Sequence, residues 1–139
     1  MCYNTNQNVK CIFAFKIFQG SGYVQFICYA KCGTCRKAKK WLDENGFSYE
    51  ERDIKENKPS AEEIKYFAEK SGRPLKKFFN TSGLLYKQMG LKDKLGEMSD
   101  EEITQLLATD GMLVKRPVLV AGDKILVGFK VEEWESELL

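Results

Sequence analysis

Tyr29-Ala-Lys-Cys-Gly-Thr-Cys-Arg-Lys-Ala-Lys-Lys-Trp-Leu42 decides how the rest of this chain is read. Its Cys-x-x-Cys pair, Cys32 and Cys35, lies between an apolar, β-branched and aromatic run (residues 23–29) and a run of helical period (residues 34–45). A strand that passes into a helix in this way leaves Cys32 at the helix N-terminus. Unpaired N–H groups and the positive end of the helix dipole there favour thiolate over thiol. The thiolate is the nucleophilic form, and such positions bring a thiol pKa from about 8.5 toward 7 or lower. Cys35 follows one turn later, placed to attack a mixed disulfide formed at Cys32. The motif therefore predicts a nucleophile, Cys32, and a resolving partner, Cys35. Arg36, Lys37, Lys39 and Lys40 read as a solvated helix face whose charge also favours the thiolate.

Outward from the motif, Cys35, Ala38, Trp41 and Leu42 recur at helical spacing, and Gly46 supplies a stop. Residues 47–53 read as a second strand, parallel to the first because a crossover helix joins them. Two capping boxes, Ser60-Ala-Glu-Glu63 and Ser99-Asp-Glu-Glu102, open helices. Shorter helical pieces fall at 75–79, 84–89 and 92–95. Pro117-Val-Leu-Val-Ala121 and residues 124–127 flank Gly122-Asp123, a hairpin signal, and Val131, Trp134 and Leu138 mark a final amphipathic helix. The order is β-α-β, a helical block, a β-hairpin and a helix. It predicts an α/β protein with a thioredoxin-like fold, a mixed central sheet and a helical insertion at about 60–110 between its two halves. Phe78, Phe79 and Trp134 are expected in the core.

Residues 1–22 differ in character. The first ten are polar and Asn-rich, residues 11–18 form a short apolar run broken by Lys16, and Gln19-Gly-Ser-Gly22 reads as a joint. They are expected to be an extension that the fold does not need, with one domain over 23–139. A signal peptide is not expected, because the apolar stretch is short, contains a lysine and lacks a small-x-small cleavage site.

Composition narrows the function. With 22 basic and 20 acidic residues in 139, the net charge of +2 gives no reason to expect nucleic acid or an anionic membrane as a general partner. All five cysteines fall within the first 35 residues, unlike a secreted fold stapled by disulfides, so a reduced, cytoplasmic protein is expected. The absence of histidine excludes Ser-His and Cys-His catalysis and His-ligated metal. Cys28, Cys32 and Cys35 also spell a Cys-x3-Cys-x2-Cys spacing that can hold an iron–sulfur cluster. Against it, Cys28 falls inside a strand and Thr34 occupies a position usually aromatic in that signature. A zinc site would need two further ligands, from Cys2, Cys11 or carboxylates. No metal site is expected.

Three stretches resemble the arsenate reductase (ArsC)/Spx family: Tyr-Ala-Lys-Cys-Gly-Thr-Cys-Arg-Lys-Ala (29–38), Lys-Lys-Phe-Phe-Asn-Thr-Ser-Gly (76–83) and Asp-Gly-Met-Leu-Val-Lys-Arg-Pro-Val (110–118). The resemblance covers 23–139 and implies a thioredoxin-like fold, a catalytic thiol at Cys32, an oxyanion-binding arginine at Arg116 and a cis proline at Pro117. Gly33 and Thr34 would support the anion through the helix N-terminus. Family reductases linked to glutathione and glutaredoxin present three arginines to the anion, whereas here Asn80 and Gly128 stand near the other two places. Lys76, Lys77 and Lys130 are candidates to replace them, as point charges without the bidentate fork. Those reductases usually lack a cysteine at the position of Cys35, while Spx-type regulators carry a Cys-x-x-Cys switch.

The resemblance thus implies an arsenate reductase-like thiol–disulfide oxidoreductase acting on a small oxyanion or disulfide substrate. No bound cofactor is expected; thioredoxin, or glutathione with glutaredoxin, would be the external reductant. Arsenate turnover should be slow, with two arginines missing. The alternative is an Spx-like redox-sensing regulator that binds RNA polymerase through its α-subunit, using the same disulfide as its switch. Direct contact with nucleic acid or membrane is not expected.

Overall fold

The computed structural model of this protein describes residues 24–139; the extension read over 1–22 lies outside them. Chain order is β1 (Val24–Cys28), α1 (Gly33–Glu44), β2 (Glu50–Asp53), α2 (Ala61–Ser71), α3 (Leu84–Gln88), α4 (Leu91–Lys94), α5 (Asp100–Thr109), β3 (Val118–Ala121), β4 (Lys124–Val127) and α6 (Val131–Leu138). Short 3-10 turns occupy Leu75–Phe78, Leu95–Glu97 and Gly111–Leu113. The four strands form one mixed sheet in the order β2-β1-β3-β4. β1 runs parallel to β2, with Cys28 opposite Asp53, and antiparallel to β3, with Phe26 opposite Leu119. β3 and β4 close the predicted two-residue hairpin around Gly122-Asp123.

Strand alternation sorts the core into two layers, because successive side chains leave opposite faces of a sheet. Phe26 and Cys28 of β1, Leu119 of β3 and Leu126 of β4 pack with Cys35, Ala38, Trp41 and Leu42 of α1 and with Trp134 of α6. Ile27, Val118, Ile125 and Val127 face the other way and pack with Ile64 and Phe67 of α2, with Phe78 and Phe79, and with Ile103 and Leu107 of α5. The arrangement is the α/β, thioredoxin-like architecture predicted, with helices between β2 and β3. Phe78, Phe79 and Trp134 are all in the core. Among the described residues, no helix is long and apolar enough to cross a membrane.

Both capping boxes form. The Ser60 and Ser99 hydroxyls each accept from the backbone N–H three residues on (3.1 Å in both), and Glu63 and Glu102 accept the cap residues' own N–H groups (3.0 and 2.8 Å). At the far end of α2, Gly72 takes the left-handed conformation (φ +72°) that ends a helix without a Cβ penalty.

The second strand is shorter than predicted and polar: only Glu50–Asp53 pairs with β1. Phe47, expected in that strand, instead stacks on Trp41 with ring centroids 5.7 Å apart. At a sheet edge β2 has one neighbour, so its pairing does not require an apolar run.

The chain leaving the helices is fastened to the turn before them. Phe79 and Val114 form an isolated antiparallel bridge, Lys115 N–H donates to the Phe78 carbonyl (2.6 Å), and Asn80 N–H donates to the Leu113 carbonyl (2.8 Å). Just upstream, buried Gly111 lies so close to the Ile54 carbonyl that a Cβ would collide with it.

Candidate functional site

Cys32 sits where β1 becomes α1. Its N–H donates back to the Tyr29 carbonyl (2.9 Å), turning the chain, and its own carbonyl accepts from Arg36 N–H (3.1 Å) as the helix begins. Cys32 is the N-cap residue of α1, and its side chain makes no cap bond. Its thiol is half-buried, while Cys35, one turn on, is buried beneath it and accepts a hydrogen bond from Tyr29 N–H at its sulfur (3.3 Å).

These placements drive the two thiols apart. Burial opposes ionisation of Cys32, but the backbone N–H of Cys35, the Cys35 thiol, the Arg116 charge and the Thr34 N–H outweigh it. The result is a thiol that titrates below its ordinary value. Cys35 is pushed up to about 12, chiefly by burial; the Tyr29 N–H resists this, and a charged Cys32 adds to it. Cys28 is pushed up to about 11 by burial and then by Glu51, whose carboxylate accepts from its thiol at 3.8 Å. One sulfur is poised to ionise and its partner retains a proton: the division of labour needed by a nucleophile and the thiol that later displaces it.

Arg116 precedes Pro117 across a cis peptide bond, as the family resemblance implies. Its guanidinium lies over the Tyr29 ring (5.3 Å to the centroid). Among the described residues, its buried Nε and Nη1 have no hydrogen-bond partner. Arg116 and Cys32 open on one cleft of about 730 Å³. Thr34, Lys77, Lys130, Asn80 and Gly128 line it too. Gly33 is exposed at the start of α1 and Pro117 is buried; both flank lining residues without lining the cleft. Lys76 does not join it. It is exposed, while the next residue, Lys77, reaches the cleft.

Arg73, Lys115 and Ser82 are among the lining residues that escape the sequence reading. Arg73 lies in the loop after α2, where its Nη2 pairs with Glu133 of α6 at 3.1 Å. Lys115 adjoins Arg116, a proximity the sequence displays but whose direction it does not. Gly128 is fixed on both sides. Its N–H donates to the Pro117 carbonyl (2.8 Å), and its carbonyl accepts from the Trp134 indole N–H (3.2 Å). With φ at +77° and a would-be Cβ 3.0 Å from Lys115 Cε, this position resists any side chain, including an arginine.

Known proteins resemble this chain in sequence and in fold. The sequence profile of the ArsC family matches residues 28–136. YusI of Bacillus subtilis strain 168, itself uncharacterized, is 56% identical over 111 residues, spanning 80% of this chain and 94% of its own length. The regulatory protein MgsR of the same strain is 30% identical over 108 residues, covering 78% of this chain and 84% of that protein. The crystal structure of an ArsC-family-related protein from Bacteroides fragilis superposes with a TM-score of 0.80 at 52% identity, covering 81% of this chain and 95% of that one.

Proposed function

We propose, from the premise that this chain belongs to the ArsC family, that it is a dithiol oxidoreductase in which Cys32 attacks and Cys35 resolves. The observation that carries this reading is the split between the two thiols: Cys32 lowered at the helix N-terminus, Cys35 buried and raised one turn away. Cys32 thiolate attacks a disulfide or an oxidised small substrate. Cys35 then closes the Cys32–Cys35 disulfide and frees the product, and thioredoxin or the glutathione/glutaredoxin system restores the dithiol. Arg116, with two buried donors that no described residue satisfies, is suited to an anionic group on the substrate or to the thiolate.

Arsenate is a poor fit as the dedicated substrate. On the family resemblance only Arg116 has a clear arginine counterpart, with Asn80 and Gly128 near the other two places; Lys77, Lys115 and Lys130 offer charge without a fork. The grip that must tighten as charge moves onto sulfur is therefore weaker. The test is trapping. The Cys35→Ser protein, given a disulfide substrate, should accumulate a mixed disulfide on Cys32 by mass spectrometry, and the unaltered protein should instead yield the Cys32–Cys35 disulfide. No adduct on Cys32 would reject the reading.

A second reading is favoured by the match to a regulatory protein: the same disulfide acts as the switch of a redox-sensing regulator. Capture on the C-terminal domain of the RNA polymerase α-subunit in only one redox state would support it; no capture in either state removes it.

A further inference from the structure

We infer that the Cys32 face docks an acidic polypeptide segment carrying the disulfide to be reduced; this rests on the oxidoreductase reading above. Some basic residues of this protein are matched. Lys39 pairs with Glu51, Arg52 with Glu63, Lys65 with Glu101 and Lys124 with Glu137. Around Cys32 the basic groups gather in one place. Arg73, Lys77, Lys115, Arg116 and Lys130 line the cleft and no carboxylate does. Among the described residues only Arg73 of these five has a salt bridge, to Glu133. For a chain whose net charge is only +2, this is a strong local excess. Like charges crowded on low-dielectric walls repel one another and focus a positive potential into the cleft, which an anionic ligand would relieve.

Two features favour a polypeptide over a small anion. The cleft, at about 730 Å³, is several times what a tetrahedral oxyanion occupies. The charge also continues beyond it: Cys32, Arg36 and Lys40 are spaced four apart, one row along α1, and Arg36 and Lys40 are exposed. At 1.5 Å per residue, Lys40 lies ~12 Å along the axis from Cys32, beyond a small molecule bonded to that sulfur. A peptide crossing from cleft to helix face would meet basic groups on both sides of its own disulfide.

The chemistry needs no further oxidant or reductant for one turnover. The Cys32 thiolate forms a bond to one substrate sulfur as the substrate S–S bond breaks, and the departing thiolate takes a proton from solvent. Cys35 gives up its proton and attacks the Cys32 sulfur. The mixed disulfide breaks, and the second substrate sulfur leaves and is protonated. Two protein thiols become one disulfide, and one peptide disulfide becomes two thiols.

The test is single-turnover exchange of the prereduced full chain with three disulfides. One is a synthetic peptide with glutamates flanking its cysteines, the second replaces those glutamates with lysines, and the third is dithiobis(nitrobenzoate), a small dianion. At low salt the acidic peptide should react at least ~10-fold faster than the basic one, and the gap should close at high salt. Lys40→Glu should slow the acidic peptide several-fold and the small dianion clearly less, since only the peptide reaches that row. Equal rates for the two peptides, or an equal effect of Lys40→Glu on peptide and small dianion, would overturn the docking inference while leaving the oxidoreductase reading intact. No exchange with any of the three would overturn both.

Discussion

Replacing Arg116 with methionine should stabilise the protein while weakening its chemistry. The guanidinium keeps Nε and Nη1 buried with no partner among the described residues. Each buried donor left unsatisfied costs roughly 1–3 kcal/mol, with the charged group toward the upper end. Methionine, a flexible chain that fills irregular space, removes both. It also gives up the contact of the guanidinium with the Tyr29 ring, about 0.5–2 kcal/mol. The balance is a gain of about 1–3 kcal/mol, or roughly 3–10 °C in Tm for a chain of this size. At the same time the variant loses a positive charge that helps hold the Cys32 thiol below its ordinary value, so the pH midpoint of Cys32 alkylation should rise. Urea unfolding with an unchanged m-value reads the first effect, and iodoacetamide rates on the same samples read the second. A destabilisation beyond about 1 kcal/mol would mean that Arg116 holds the fold rather than serving the cleft. A stabilised variant whose Cys32 profile has not moved would uncouple the guanidinium from the thiol.

Limiting iodoacetamide at neutral pH should label Cys32 well before Cys28 and Cys35, which are buried and titrate near 11 and 12; first labelling at either of those would reverse the nucleophile assignment. Those same two thiols should make the fold sensitive to alkali. Unfolded, they lose protons near the ordinary value of 9, so from there toward 11–12 the native state binds more protons and stability falls as pH rises. A Cys28→Ala variant should show a smaller loss of urea midpoint between about pH 8 and 10.5, and an identical loss would remove Cys28 as a cause. Gly111→Ala should cost about 3 kcal/mol or more in urea unfolding, because its methyl group must displace the Ile54 carbonyl; a cost under ~1 kcal/mol would mean the backbone there yields easily.

Much of the architecture is written locally. The two capping boxes, the Gly122-Asp123 hairpin and the apolar face of α1 each follow from a few neighbouring residues, and each forms as read. The β2 boundary was less legible, because an edge strand of Glu-Glu-Arg-Asp carries no apolar alternation and its pairing comes from β1. The candidate site divides the same way. Cys32, Cys35 and Arg116 stand in motifs, whereas Arg73 reaches the cleft from a loop 41 positions beyond Cys32 and carries no pattern that says so. Lys76 and Lys77 are alike in sequence; the 3-10 turn Leu75–Phe78 separates them, and only the second meets the cleft. Direction within an irregular turn is a tertiary property, beyond the reach of spacing.

The small ladder joining Phe78, Phe79 and Asn80 to residues 113–115 has a consequence for how this chain can vary. It closes the α3–α5 segment into a loop whose two ends meet immediately beside Arg116. Insertions in the connections between α3, α4 and α5 would be absorbed beyond that clasp, since lengthening a loop with fixed ends costs only slowly growing entropy. The wall of the cleft would keep its position as those connections changed in length or sequence. Relatives could thus diversify the surface that other molecules meet without retuning the sulfur chemistry, and the clasp itself is where change would be least tolerated.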